Sequence, residues 1–190
     1  LLDIACGAGY GSFLIGKNFP NSSVIGGDYD ERAISYAKNN YRLANLQFAK
    51  ANIVTWSYEN ITNIDQQNNE ESLGKFDVIL CFDTIEHLLH RETALKNLTE
   101  NLADDGFLLL STPCGHKETL LNPGWEHHKI EYSSTDLFDF LSRHFAEVLR
   151  PEDGNLPAMD FWLNVINKDK IRYLNKTNPV CCRKPIKIRS

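Results

Sequence analysis

The chain has 190 residues, with 20 Lys and Arg against 25 Asp and Glu, a net charge of −5, 42% hydrophobic and 11% aromatic residues. These values suit one globular domain with a sizeable core. No apolar run approaches the roughly 18 residues of a membrane helix, and the acidic balance argues against duplex nucleic acid, which calls for a broad basic face.

Leu1 to Gly11 reads as a buried strand with an acid inside it, Asp3, followed by a turn with glycines at 7, 9 and 11. Glycines after a first strand let a ligand approach the backbone. The next apolar run, Val24 to Gly27, ends in Asp28, 19 residues after Gly9. An acid closing a second strand can accept hydrogen bonds from a ribose diol, so a nucleoside-containing cofactor is expected. A dinucleotide fold would want G-x-G-x-x-G, but Ser12 stands where its third glycine belongs. Nor does a nicotinamide enzyme need an acid at Asp3, whereas a cationic cofactor head group does. A glycine-rich turn in some other α/β domain is the plainer alternative.

The stretch resembles motif I of the class I S-adenosylmethionine-dependent methyltransferases, D-x-x-C/G-x-G-x-G. The resemblance implies an α/β, Rossmann-like fold: a seven-stranded, mostly parallel sheet with helices on both faces and the last strand antiparallel. It also implies that Asp3, Gly7, Gly9 and Asp28 hold S-adenosylmethionine, that Asp28 takes the ribose hydroxyls, and that Tyr29 packs beside the adenine. Family members carry at least one helix before this strand, so the chain reads as one domain of a longer protein.

Glu31 to Leu43 has helical periodicity through Ala33, Ile34, Ala37 and Tyr41. Leu46 to Ile53 reads as the third strand. In the family an acid at the position of Asn52 accepts from the adenine amine. Asn keeps a carbonyl acceptor and loses the charge, and it serves equally as a turn residue. Ile53 and, further on, Phe82 complete the expected cofactor pocket. Asn60 to Gly74, with its Gln/Asn/Glu run, is expected to be a solvated loop.

Val78 to Asp83 is an apolar run ending in acid, as expected of a central parallel strand, and ligands bind beyond the carboxyl ends of such strands. Asp83, Glu86 and His87 therefore emerge where chemistry would occur, with a helix expected over 88–102. The run resembles the family's fourth motif, F-D-x-I-x-x-x-x-x-x-E-H, and Leu102 to Pro113 its fifth strand, with Asp104-Asp105-Gly106 as a turn. His87 is the leading candidate base; capping a turn is its structural alternative. Trp125 to Ser133 resembles an H-x-x-E-Y/W-[ST] run that lids the acceptor pocket of many O-methyltransferases, with His128 at the histidine position. Asp83, His87 and His128 are thus the expected catalytic residues.

Asp83-x-x-Glu86-His87 with the later His128-Lys-Ile-Glu-Tyr also resembles, over about 50 residues, the small-RNA 3′-terminal 2′-O-methyltransferases, and in part the ubiquinone-pathway O-methyltransferases. In the RNA group these positions hold a divalent metal. That makes Asp83, Glu86, His87 and His128 a candidate site for Mg²⁺, Mn²⁺ or Zn²⁺, the alternative being an acid/base cluster.

Ser134 to Arg143 reads as a late helix, with Phe145 to Arg150 and Asp160 to Asn167 as the final strand pair. The domain is expected over 1–167. From Lys168 to Ser190 eight basic residues face one acid, a basic tail of +7 on a body of −12. The five cysteines, 6, 81, 114, 181 and 182, have no metal spacing and read as free thiols; with no visible signal segment, a cytoplasmic location is expected. The four N-glycosylation triplets are read as chance occurrences. The acceptor expected from these residues is a hydroxyl, preferably of a sugar or glycan. An RNA ribose 2′-hydroxyl or a quinone-type phenol are the alternatives, and a non-catalytic cofactor-binding module or an NAD oxidoreductase are those of another class.

Overall fold

The computed structural model describes residues 1–57, 61, 75–149 and 180–187. Strands β1 (Leu2–Ile4), β2 (Val24–Asp28) and β3 (Leu46–Lys50) alternate with helices α1 (Tyr10–Asn18) and α2 (Glu31–Asn40). β4 (Phe76–Phe82), a 3₁₀ turn at Ile85–His87, α3 (Arg91–Glu100) and β5 (Leu102–Ser111) follow. Then come three short strands, β6 (Cys114–His116), β7 (Leu120–Leu121) and β8 (Ile130–Ser133). Helix α4 (Ser134–Ser142) and strands β9 (Phe145–Leu149) and β10 (Val180–Pro185) complete the order.

Seven strands form one sheet in the order β3-β2-β1-β4-β5-β10-β9. β1 to β5 are parallel, and β10 runs antiparallel to both β5 and β9. Alternating side chains feed two cores. Ile15 of α1 and Ile34 and Ala37 of α2 pack with Val24, Phe48, Leu80 and Leu109 on one face. Leu95 and Leu98 of α3 and Leu137 and Leu141 of α4 pack with Leu2, Ile4, Ile79, Cys81, Leu108 and Leu110 on the other. A sheet covered on both faces needs apolar residues at successive positions, which is why Val78 to Phe82 and Phe107 to Leu110 are uninterrupted. The expected sheet and helix layering are therefore those of the molecule.

Two local expectations differ, and others fall on residues outside those described. Residues 160–167 lie outside the described residues, as do 58–60 and 62–74 of the expected loop region. The partner of β9 is β10, inside the stretch read as a basic tail: Cys181 pairs with both Leu109 and Leu149. Val180, Cys181 and Cys182 are all buried, whereas Arg183 and Lys184 both pair with Glu147. A three-residue apolar core is enough for a strand clamped between two others, and the flanking cations mask it in the sequence. Finally, β5 begins at Leu102. Phe76 pairs with Leu102 and Val78 with Phe107, so one residue of β4 lies opposite four of β5, and the Asp104-Asp105 turn is a bulge within the strand.

Candidate functional site

The parallel strands β1, β2 and β4 end side by side, with Ile4 opposite both Gly27 and Cys81. After β1 the chain turns through Ala5, Gly7 and Gly9 at φ 63, 54 and 86°, three left-handed residues at alternate positions. The turn closes through the Cys6 N–H on the Gly27 carbonyl and the Gly9 N–H on the Cys6 carbonyl, both 3.0 Å. Its two outer glycines do different jobs. A Cβ on Gly9 would lie 2.7 Å from Ala37 Cβ and from the Phe48 ring, so this glycine lets α1 and α2 close on the sheet. A Cβ on Gly7 would meet nothing within 4 Å, which leaves a cradle open at the backbone.

Asp28 is tied into this turn. Its Oδ2 accepts the Gly7 N–H and its Oδ1 the Asp30 N–H, each at 2.8 Å. The carboxylate has about four lone-pair positions, so two remain for a ligand diol. The ring of the next residue, Tyr29, is 73% exposed. Asp3 points to the face under α1, where Ser12 Oγ donates to its Oδ2 at 2.6 Å. Ser12 is the residue that replaces the third dinucleotide glycine, and Gly26 makes room for it, since a Cβ there would lie 2.7 Å from Ser12 Oγ. Burial, opposed by the Ser12 hydrogen bond and assisted by the Asp28 charge, raises the Asp3 pKa to about 6. Asn52 is exposed and its Oδ1 accepts the Val54 N–H at 2.9 Å, so part of its acceptor capacity is spent on its own turn. Ile53 is buried in the core; its backbone, not its side chain, is what could face a nucleoside. Phe82, half-buried, ends β4.

Beyond β4 the structure gathers a second group. Glu86 is 1% exposed; its Oε2 accepts from Thr112 Oγ1 at 2.8 Å, and burial raises its pKa. The Lys129 N–H bonds the Glu86 carbonyl at 2.7 Å, which fastens β8 to the 3₁₀ turn and brings His128 beside His87. The two imidazole centroids are 4.9 Å apart. His87 Nδ1 lies 3.0 Å from the His127 carbonyl oxygen, and His128 Nδ1 lies 2.7 Å from Glu131 Oε1. A carbonyl oxygen or a carboxylate only accepts, so each Nδ1 carries a proton, and in the neutral rings the lone pair is on Nε2. Ligand atoms of Glu86, His87 and His128 lie within 4.8 Å of one another. Trp125, 55% exposed, stands edge-on to His128 at 4.3 Å and to His87 at 6.0 Å.

Asp83 does not join this group, contrary to the four-ligand expectation. Its backbone is left-handed, φ 44°, and Ser111 Oγ donates to its Oδ1 at 2.9 Å. The turn that ends β4 thus swings this carboxylate toward β5. Thr112, Ser111 and Glu131 were given no role of their own by the sequence, although Glu131 lies in the H-x-x-E run. The Ser-Thr pair before Pro113 and an acid three residues after His128 were the available signals.

A methyltransferase domain family matches residues 2–108, more than half of the chain. The malonyl-[acyl-carrier protein] O-methyltransferase of Bacillus cereus is 31% identical over 117 residues, 62% of this chain and 38% of that protein. The chain thus spans well under half the length of this relative. Among solved structures, the [4+2]-cyclase SpnF aligns with a TM-score of 0.67 at 12% identity, covering 97% of this chain and 75% of SpnF. An O-methyltransferase domain of a Brevibacillus brevis polyketide multienzyme, in complex with S-adenosyl-L-homocysteine, aligns at 0.59 and 14%, covering 95% and 63%. These two likenesses show the fold, which a cyclase and an O-methyltransferase share, so chemistry has to be argued from the site. The family match settles the broader question: the chain belongs to the methyltransferase domain family, within the class I S-adenosylmethionine-dependent methyltransferases.

Proposed function

We propose that the chain transfers a methyl group from S-adenosylmethionine to a hydroxyl of a sugar or glycan. The observation that carries this reading is the pair of imidazoles, each with Nδ1 held by an oxygen acceptor, beside buried Glu86 on the strand edge that carries the glycine turn. The cofactor supplies an electrophilic methyl on a sulfonium. A carboxylate acceptor, such as the relative's name implies for that enzyme, is already a nucleophile and needs no base. An alcohol does need one, because its proton has to leave as oxygen attacks the methyl carbon and the carbon–sulfur bond breaks. An Nε2 lone pair takes that proton, and the imidazolium formed is stabilised by the carboxylate beside it. Trp125, exposed and against both rings, offers a flat apolar surface for the face of a sugar ring.

The cofactor would lie along the turn, with its backbone approach at Gly7, its ribose on Asp28, and its adenine between Tyr29 and the Asn52-Ile53 segment. Phe82 would close the pocket floor, and Asp3 would provide the negative charge beneath the cationic head. Incubation with labelled cofactor and a panel of glycosides, RNA 3′ ends and catechols, scored by S-adenosylhomocysteine release, tests the acceptor class. Release with RNA or catechol alone replaces the sugar by one of the alternatives. Calorimetry showing NAD and not S-adenosylhomocysteine bound would overturn the cofactor assignment.

A second reading rests on the same three residues as ligands. Each imidazole has its Nδ1 held by an oxygen, and a ring nitrogen of each lies within 4.8 Å of a buried carboxylate, an arrangement suited to metal-binding histidines. Glu86, His87 and His128 would hold a divalent cation, with Asp83 outside the set, and the cation would lower the pKa of a bound hydroxyl. Full turnover in EDTA excludes this reading and leaves the imidazole base. Loss in EDTA with recovery in Mg²⁺, Mn²⁺ or Zn²⁺ establishes it.

A further inference from the structure

We propose that Glu131 is a positioning residue that holds His128 in the tautomer with its proton on Nδ1, so that the neutral ring keeps its Nε2 lone pair. This rests on the methyl-transfer reading for its consequence, but its structural content stands apart. The two rings are braced differently. His87 donates to a neutral backbone carbonyl and its side chain is 38% exposed. His128 donates to a carboxylate at 2.7 Å, its side chain is 7% exposed, and Glu131 is itself only 17% exposed. Histidine in water favours the other tautomer, with the proton on Nε2, so holding it on Nδ1 requires an acceptor of fixed position. β8 provides one. Its register sets Glu131 opposite Leu120 and Ile130 opposite Leu121, and Ile130 is buried in the core. The Lys129 N–H on the Glu86 carbonyl anchors the residue between His128 and Glu131. The carboxylate therefore reaches Nδ1 from a strand that cannot slide.

The test is ring-nitrogen NMR on protein freed of metal, with the tautomer of His128 read from the protonation of each nitrogen near neutral pH. The proposal expects Nδ1–H in the wild type, and Nε2–H as the main form in Glu131→Ala and Glu131→Leu. Leucine keeps most of the side-chain volume, so one variant decides if alanine fails to fold. The His87 tautomer, held by the His127 carbonyl, should stay as it is in both. Nε2–H in the wild type, or an unaltered tautomer after loss of Glu131, overturns the proposal. Turnover gives the second readout. Glu131→Ala should lower it at least tenfold with unchanged S-adenosylhomocysteine affinity, and the Glu131→Ala/His128→Ala double variant should be no slower than His128→Ala alone. Additive losses would mean that Glu131 acts elsewhere. If no acceptor turns over even with the wild type, the methyl-transfer reading fails, while the tautomer result still judges the placement of Glu131.

Discussion

Gly7 and Gly9 stand two residues apart in one turn and are predicted to fail in opposite ways when changed to alanine. At Gly9, φ is 86° and the new methyl would sit 2.7 Å from Ala37 Cβ and from the Phe48 ring, both buried in the core under α1 and α2. Overpacking of that kind costs about 1–3 kcal/mol and a left-handed alanine about 1–2 more. Together these remove roughly 2–5 kcal/mol from a domain whose whole stability is on the order of 5–15. Tm should fall by on the order of 10 °C. At Gly7, φ is 54° and the methyl would meet nothing within 4 Å, so only the left-handed cost of about 1–2 kcal/mol applies. The methyl does, however, occupy the space assigned to the cofactor. Displacing a ligand by a clash of about 1–3 kcal/mol weakens binding by about 5–150-fold. Thermal unfolding and calorimetry with S-adenosylhomocysteine separate the two. A Gly7→Ala protein that binds like the wild type, or a Gly9→Ala protein as stable as the wild type, would refute the division of roles.

Other perturbations follow from the same geometry. Asp28→Ala removes a charged acceptor for the ribose diol and orphans the Gly7 and Asp30 N–H groups; S-adenosylhomocysteine affinity measured by calorimetry should drop by about 1.5–3 kcal/mol. Asp3 titrates near 6 in the folded chain against 3.8 unfolded, so between these values the folded state binds the extra proton. Its contribution favours folding below that window and is lost as pH rises through about 6, on the order of 3 kcal/mol in all. Denaturant unfolding at pH 5 and pH 8 should therefore differ less for Asp3→Asn than for the wild type. His87→Ala should lower turnover while S-adenosylhomocysteine affinity stays within about twofold, since this ring belongs to the proposed acceptor group and not to the glycine turn; full turnover would reduce His87 to a brace for the 127–128 turn.

Much of this was legible from the residues because their spacing carries the mechanism. Strand, alternating glycines and a strand-end acid place Gly7 against Asp28 whatever the rest of the chain does. The apolar run into Asp83 and the Glu86-His87 step likewise fixed the strand edge. The place of Asp83 outside the Glu86-His87-His128 group was not legible, because spacing along a chain does not reveal a left-handed residue, and at φ 44° its carboxylate meets Ser111. Asn52 is partly consumed by an Asx turn that depends on the backbone of Val54. β10 was hidden because a strand between two others needs only Val180, Cys181 and Cys182 apolar, while its neighbours were free to be cationic. Glu131 was overlooked because its partner, His128, meets it only once β8 is built.

The most direct test of the account is a single coupled measurement: S-adenosylhomocysteine released per methylated sugar, for the wild type and for a His87→Ala/His128→Ala protein of equal cofactor affinity. One-to-one stoichiometry is predicted for the wild type, with a rate of release about 10²-fold or more lower in the double variant, the usual contribution of a positioned base. Wild-type turnover in the double variant, with the cofactor still bound, would contradict it.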